Sequence, residues 1–175
     1  MPHQIKIFPH NDPFNLAHYH REIIRNKIAS HNEEGLTLDC MSFIIATAFG
    51  IEAFINFLGS QVVDEWKERQ PFKSKLDQIY GSVGEGFDKN CEPYKTVWSI
   101  KETRDSIAHG KPYEDTVKIR STDELWLEMS APWDNYLDSD YVEHVYEQVN
   151  NWVSELLKIA NIPIESTLTS AKHVP

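Results

Sequence analysis

The sequence predicts an all-α protein: a four-helix up-and-down bundle with one additional short helix and a small β-hairpin inserted before the last helix. Three observations lead there. Four segments carry apolar residues at three- and four-residue spacing over helical lengths. The 7 Gly and 9 Pro of the 175-residue chain are sparse and gather between those segments. The connections are short, which favours antiparallel neighbours. With 41% hydrophobic and 25% charged residues, the chain can bury a core as a single domain. That domain is placed at residues 1–163, with 164–175 expected as a flexible C-terminal tail.

The elements follow in order. Residues 1–13 read as extended, with Gln4 to Phe8 able to form a short strand. Phe14 to His31 is a first helix, with Phe14, Ala17, Ile24 and Ile28 on one face. Thr37 to Trp66 is a second, apolar almost all round, as in a helix at the centre of a core or in an oligomer interface. Phe72 to Tyr80 is the short helix, and Gly81 to Asn90 a loop. Glu92 to His109 is the third main helix, with Gly110 placed as a left-handed C-terminal residue and Pro112 beyond it. Thr116 to Ile119 and Leu125 to Met129 read as the hairpin. Asp140 to Glu143 has capping-box spacing and opens a fourth helix to about Ala160.

A formal net charge of −10 argues against broad adhesion to nucleic acid; any RNA must be held by a few focused cations. Two cysteines, Cys40 and Cys91, make no disulfide framework. No signal peptide opens the chain, and Met41 to Leu58 holds Glu52 and Asn56, so it reads as a buried helix rather than a membrane span. A cytoplasmic setting without membrane contact is expected. His18 and His20 are two residues apart and lack helical metal-pair spacing, so neither a metal nor another cofactor is expected.

The chemistry-bearing feature is Arg104-Asp105-Ser106-Ile107-Ala108-His109, at the end of the third main helix. Arg104 and His109 are separated by about 7.5 Å of rise and about 140° of rotation. The helix C-terminus favours a protonated imidazole, which can then act as acid or base. A guanidinium beside it can bind a phosphate and stabilise a dianionic transition state. These are the parts needed for RNA cleavage by the substrate's own 2′-OH. The bland alternative is a pair of cations complementing the helix dipole. Glu52, the lone acid of its apolar stretch, either orients Arg104 or faces solvent. Asn56, one turn on, joins the same polar pocket or does nothing there. Asp105 either orients His109 or a substrate hydroxyl, or makes a plain surface pair. Lys101, Lys111 and Arg120 are candidates to guide phosphate, and Trp126 and Trp133 are free to stack on a base.

Arg, four to six residues, then His, with a polar residue after the Arg, resembles the HEPN superfamily of helical domains. So do the motif's place late in a four-helix bundle and the preceding apolar helix with its lone acid. The resemblance spans roughly residues 14–160 as architecture. It implies a metal-independent endoribonuclease with His109 as acid/base, Arg104 as phosphate ligand, and Asp105 and Glu52 in support. It further implies a homodimer with the motifs facing each other, a possible antitoxin or regulatory protein partner, and a role as toxin or defence effector. One toxin subtype carries Tyr two residues after the His, where this chain has Lys111. The alternative is a non-catalytic HEPN-like module that dimerises, holds a nucleotide or binds a protein.

Overall fold

The computed structural model describes residues 3–112 and 114–173. It is mostly helical. In chain order come β1 (His3–Lys6), α1 (Asn11–Ala29), α2 (Leu36–Val62), α3 (Phe72–Val83), α4 (Tyr94–His109), α5 (Thr122–Glu128), α6 (Ser139–Ile159) and β2 (Ser170–His173). Two single 3₁₀ turns flank α6, at Asp134–Tyr136 and Ile164–Thr167.

α2 organises the rest. It packs against α1, α3, α4 and α6, while α6 also touches α1 and α4. Packing against four helices explains why apolar residues run almost all round it, and Phe43, Ile44, Ile51, Phe54, Ile55 and Leu58 are all buried. By length and composition α2 could cross a membrane; here it is the central helix of the core. α6 supplies the clearest single stripe, with Val142, Val145, Val149, Trp152 and Leu156 buried. Trp152 closes the core floor, donating its indole N–H to the Tyr80 hydroxyl at 3.0 Å. Cys40 is a packed thiol that burial pushes up to about 11, whereas Cys91 is exposed.

Several expectations are corrected. The hairpin at 116–129 is not formed: among the described residues 114–120 carry no strand, and Thr122–Glu128 is helical. Ser121-Thr122-Asp123-Glu124 is the reason. The Ser121 side chain accepts from the Glu124 N–H at 3.2 Å, and the Glu124 carboxylate accepts from the Arg120 N–H at 2.6 Å. The apparent turn is thus a capped helix start. The sheet lies elsewhere: β1 pairs antiparallel with β2, Gln4 opposite Lys172. Residues 164–173, expected as a flexible tail, are therefore tied to the N-terminus. The Thr169 hydroxyl accepts from the Phe8 N–H, and the Asn11 side chain bonds both the Thr167 carbonyl and the Thr169 N–H.

α2 stops at Val62, four residues short of Trp66. The chain turns back so that the Trp66 ring lies on Gly59, where an added Cβ would meet ring atoms at 2.5 Å. The cap of α6 is Asp138, which accepts from the Tyr141 N–H, rather than Asp140 with Glu143. Glu143 instead holds the guanidinium groups of Arg21 and Arg25 on α1, at 2.6 and 2.8 Å. Two charged donors outbid one backbone amide.

Candidate functional site

α4 is placed by its buried stripe of Thr96, Val97, Ile100 and Thr103, which faces α2 and α6. Arg104 follows Thr103 by one residue, so it emerges at the edge of that stripe, still within reach of α2. His109 falls on the opposite side of the last turn and is exposed. The helix does end at His109, but Gly110 has φ −55°, not a left-handed value. Its need is steric: a Cβ there would meet the Ser106 carbonyl oxygen at 2.9 Å and the Trp133 ring at 3.5 Å.

Arg104 sits in a charge network. One terminal nitrogen donates to the Glu52 Oε2 at 2.7 Å, and the other lies 3.0 Å from the Asp105 Oδ1. Glu52 thereby does both things anticipated for it: it is half-exposed and it pairs with Arg104. Its other oxygen meets the Nζ of Lys75 at 3.3 Å, and Asp105 also meets Lys101 at 2.7 Å. Three cations meet two carboxylates, so the network carries one surplus positive charge on an otherwise acidic protein. The Arg104 guanidinium also lies 5.9 Å from the centre of the half-exposed Phe49 ring, and its Nε is buried without a hydrogen-bond partner among the described residues. Burial raises the Asp105 carboxyl, but the Lys101 hydrogen bond and the Arg104 charge outweigh it and hold it below the usual carboxylate range.

His109 is not part of this network. Its ring makes no hydrogen bond among the described residues and acts on Asp105 only through charge, so the anticipated Asp105–His109 contact is replaced by Asp105's bonds to Lys101 and Arg104. The imidazole lines an open cleft of about 750 Å³ with Asp105, Lys111, Met129 and Trp133. Arg104 does not line that cleft. Lys111 thus accompanies His109, and Lys101 accompanies Arg104. Asn56 joins neither: its side-chain oxygen is buried without a partner among the described residues. Trp133 is packed on the rim of the cleft, while Trp126 is 64% exposed on α5. The Arg120 side chain is outside both groups. Among the described residues no group of three or more His, Cys, Asp or Glu side chains is placed to hold a metal.

Sequence reasoning missed Lys75. Its side chain is only 2% exposed. The signal was present: Phe72, Lys75, Leu76, Ile79 and Tyr80 form one i, i+3, i+4, i+7, i+8 stripe, so Lys75 occupies a core position of α3. A lysine there requires a carboxylate within reach, and the half-exposed Glu52 supplies it. Comparisons with known proteins add no relative: no family model, curated protein or solved structure matches the chain.

Proposed function

We propose that this chain is a HEPN-type endoribonuclease that needs no metal, with α1, α2, α4 and α6 as its four-helix up-and-down bundle. One observation carries the reading: an exposed, unpaired His109 opens onto a cleft, five residues from a guanidinium aligned by two carboxylates. His109 takes the proton from the substrate's 2′-oxygen, which attacks the adjacent phosphorus. The bond from phosphorus to the 5′-oxygen breaks, and the 5′-oxygen takes up a proton. The products are a 2′,3′-cyclic phosphate and a 5′-OH. In a homodimer with facing motifs, each protomer's His109 serves one of the two proton transfers, and Arg104 stabilises the phosphorane. Lys111 guides the phosphate chain into the cleft. The acidic remainder of the surface confines RNA to this spot and makes cleavage salt-sensitive.

A second reading has its own support. Both terminal nitrogens of Arg104 are already engaged by carboxylates, and Arg104 and His109 do not share a wall of the cleft. On that reading the motif is a structural clasp in a non-catalytic HEPN-like module that binds a partner.

Labelled RNA incubated with the protein in EDTA separates the two. Cleavage is expected to leave cyclic-phosphate ends, to spare DNA, and to fall by at least about 100-fold in His109→Ala, the usual worth of a positioned acid/base. Equal cleavage by the variant, or a strict requirement for added metal, would falsify the proposal.

A further inference from the structure

We infer that a pocket between α1, α2 and α6, separate from the His109 cleft, binds a small uncharged aromatic molecule bearing one hydrogen-bonding head. The inference does not depend on the ribonuclease reading. The pocket has a volume of about 270 Å³, below the range of drug-sized ligands. Phe14, Phe43, Val149 and Val153 form apolar walls, and Asn15, His18 and Asn150 stand exposed at the mouth. Gly50 shapes one wall, since a Cβ on it would meet the Phe14 ring at 2.5 Å.

The observation that points to a ligand is Thr47. It is 2% exposed, it lines the pocket, and its hydroxyl has no hydrogen-bond partner among the described residues. A helical threonine can return its hydroxyl to the carbonyl four residues back. Ser42 does so on this same helix, bonding the Leu38 carbonyl at 2.8 Å, but Thr47 does not. A buried hydroxyl left unpaired at the end of an apolar pocket costs stability until an occupant answers it. That occupant must be flat enough for the aromatic walls and must present a donor or acceptor to Thr47.

The occupant must also be neutral. No Asp, Glu, Lys or Arg side chain lines the pocket. Arg21, which stacks on the lining residue Tyr146 at 3.8 Å, is committed to Glu143, and the one titratable lining side chain among the described residues besides Tyr146 is His18, at the mouth. Tyr146 is fixed from the other direction by a hydroxyl contact of 3.3 Å with the His18 ring. The mouth is therefore largely pre-formed, and a carboxylate or phosphate on the ligand would find no counter-charge inside.

Phenol, toluene and benzoate test this on the full chain by calorimetry and ligand-observed NMR. Phenol should bind with a dissociation constant below about 1 mM, and benzoate should not bind. Thr47→Val, which keeps the side-chain shape, should shift the phenol-to-toluene affinity ratio by about fivefold toward toluene, the worth of one hydrogen bond. Val153→Phe should fill the pocket and abolish binding of both. No phenol binding in the wild type, which would leave an ordered water as the occupant, overturns the inference. So does an unchanged ratio in Thr47→Val, or a Thr47→Val protein that melts well below the wild type, since the hydroxyl would then have a partner within the protein.

Discussion

The helical body and the connector between α4 and α6 are built on different terms, and the Arg-to-His motif straddles their boundary. In the body every long helix buries a stripe. In the connector, residues 110–138, α5 buries none of its residues, and Trp126, Leu127 and Met129 are all exposed. Among the described residues of that segment only Leu137 is buried, while Trp133 on Gly110 and Tyr136 against Tyr141 are half-buried. Arg104 belongs to the body, where Glu52 and Asp105 fix it. His109 belongs to the connector side, where its ring is free. One helix thus carries an ion-paired guanidinium and, five residues on, an exposed imidazole.

The largest test of the contrast uses two tryptophans. Trp152→Ala should cost about 3–5 kcal/mol, because it empties a fully buried ring volume and removes the indole donor to the Tyr80 hydroxyl. Trp126→Ala should change stability by less than about 0.5 kcal/mol. Urea denaturation of both variants gives the comparison directly. Similar losses would mean that the connector is packed in solution, and the division between the two regions would fall.

Next in size is the clamp on Arg104. Glu52→Gln leaves the Lys75 ammonium buried without its carboxylate and leaves Arg104 paired with Asp105 alone. The expected loss is about 2 kcal/mol, reduced from the fully buried case because Glu52 is itself half-exposed. Adding Lys75→Met should recover most of it, since an apolar side chain suits the α3 stripe. A melting temperature unmoved by Glu52→Gln would show that the network stabilises nothing.

What could be read from the sequence divides along the same boundary. α1, α2 and α6 were legible because burial enforces their periodicity; all of Val142, Val145, Val149, Trp152 and Leu156 on α6 point into the core. α5 was not, because a helix that buries nothing has no stripe to display, and its one signal was the Ser121–Glu124 cap. The β1–β2 pair joins the two ends of the chain, and no local pattern encodes such a partner. At the candidate site, a lone acid in an apolar helix was enough to suggest Glu52 for Arg104. Lys75 escaped because the short α3 was read only as a helix, without following its stripe, in which Lys75 holds a buried position. The Thr47 pocket had no sequence signal at all, since it arises only where three helices fail to fill the space between them.

The smallest effect concerns Asp105, the residue on the boundary itself. Its carboxyl is held below the ordinary range by Lys101 and Arg104 against the opposing pull of burial. A folded-state value below the unfolded one, which is about 3.9, means that its pairing stabilises the protein above that pH. The contribution is lost as pH falls through the folded value. Asp105→Asn should therefore cost about 0.5–1 kcal/mol at pH 7, in keeping with a partly exposed ion pair. The gap in urea midpoint between variant and wild type should close as acidification carries the pH below the folded-state value, where the wild-type carboxyl is protonated too. High salt at pH 7 should narrow it in the same way. If the gap persists in acid, Asp105 acts through packing rather than charge, and the alignment of Arg104 must be credited to Glu52 alone.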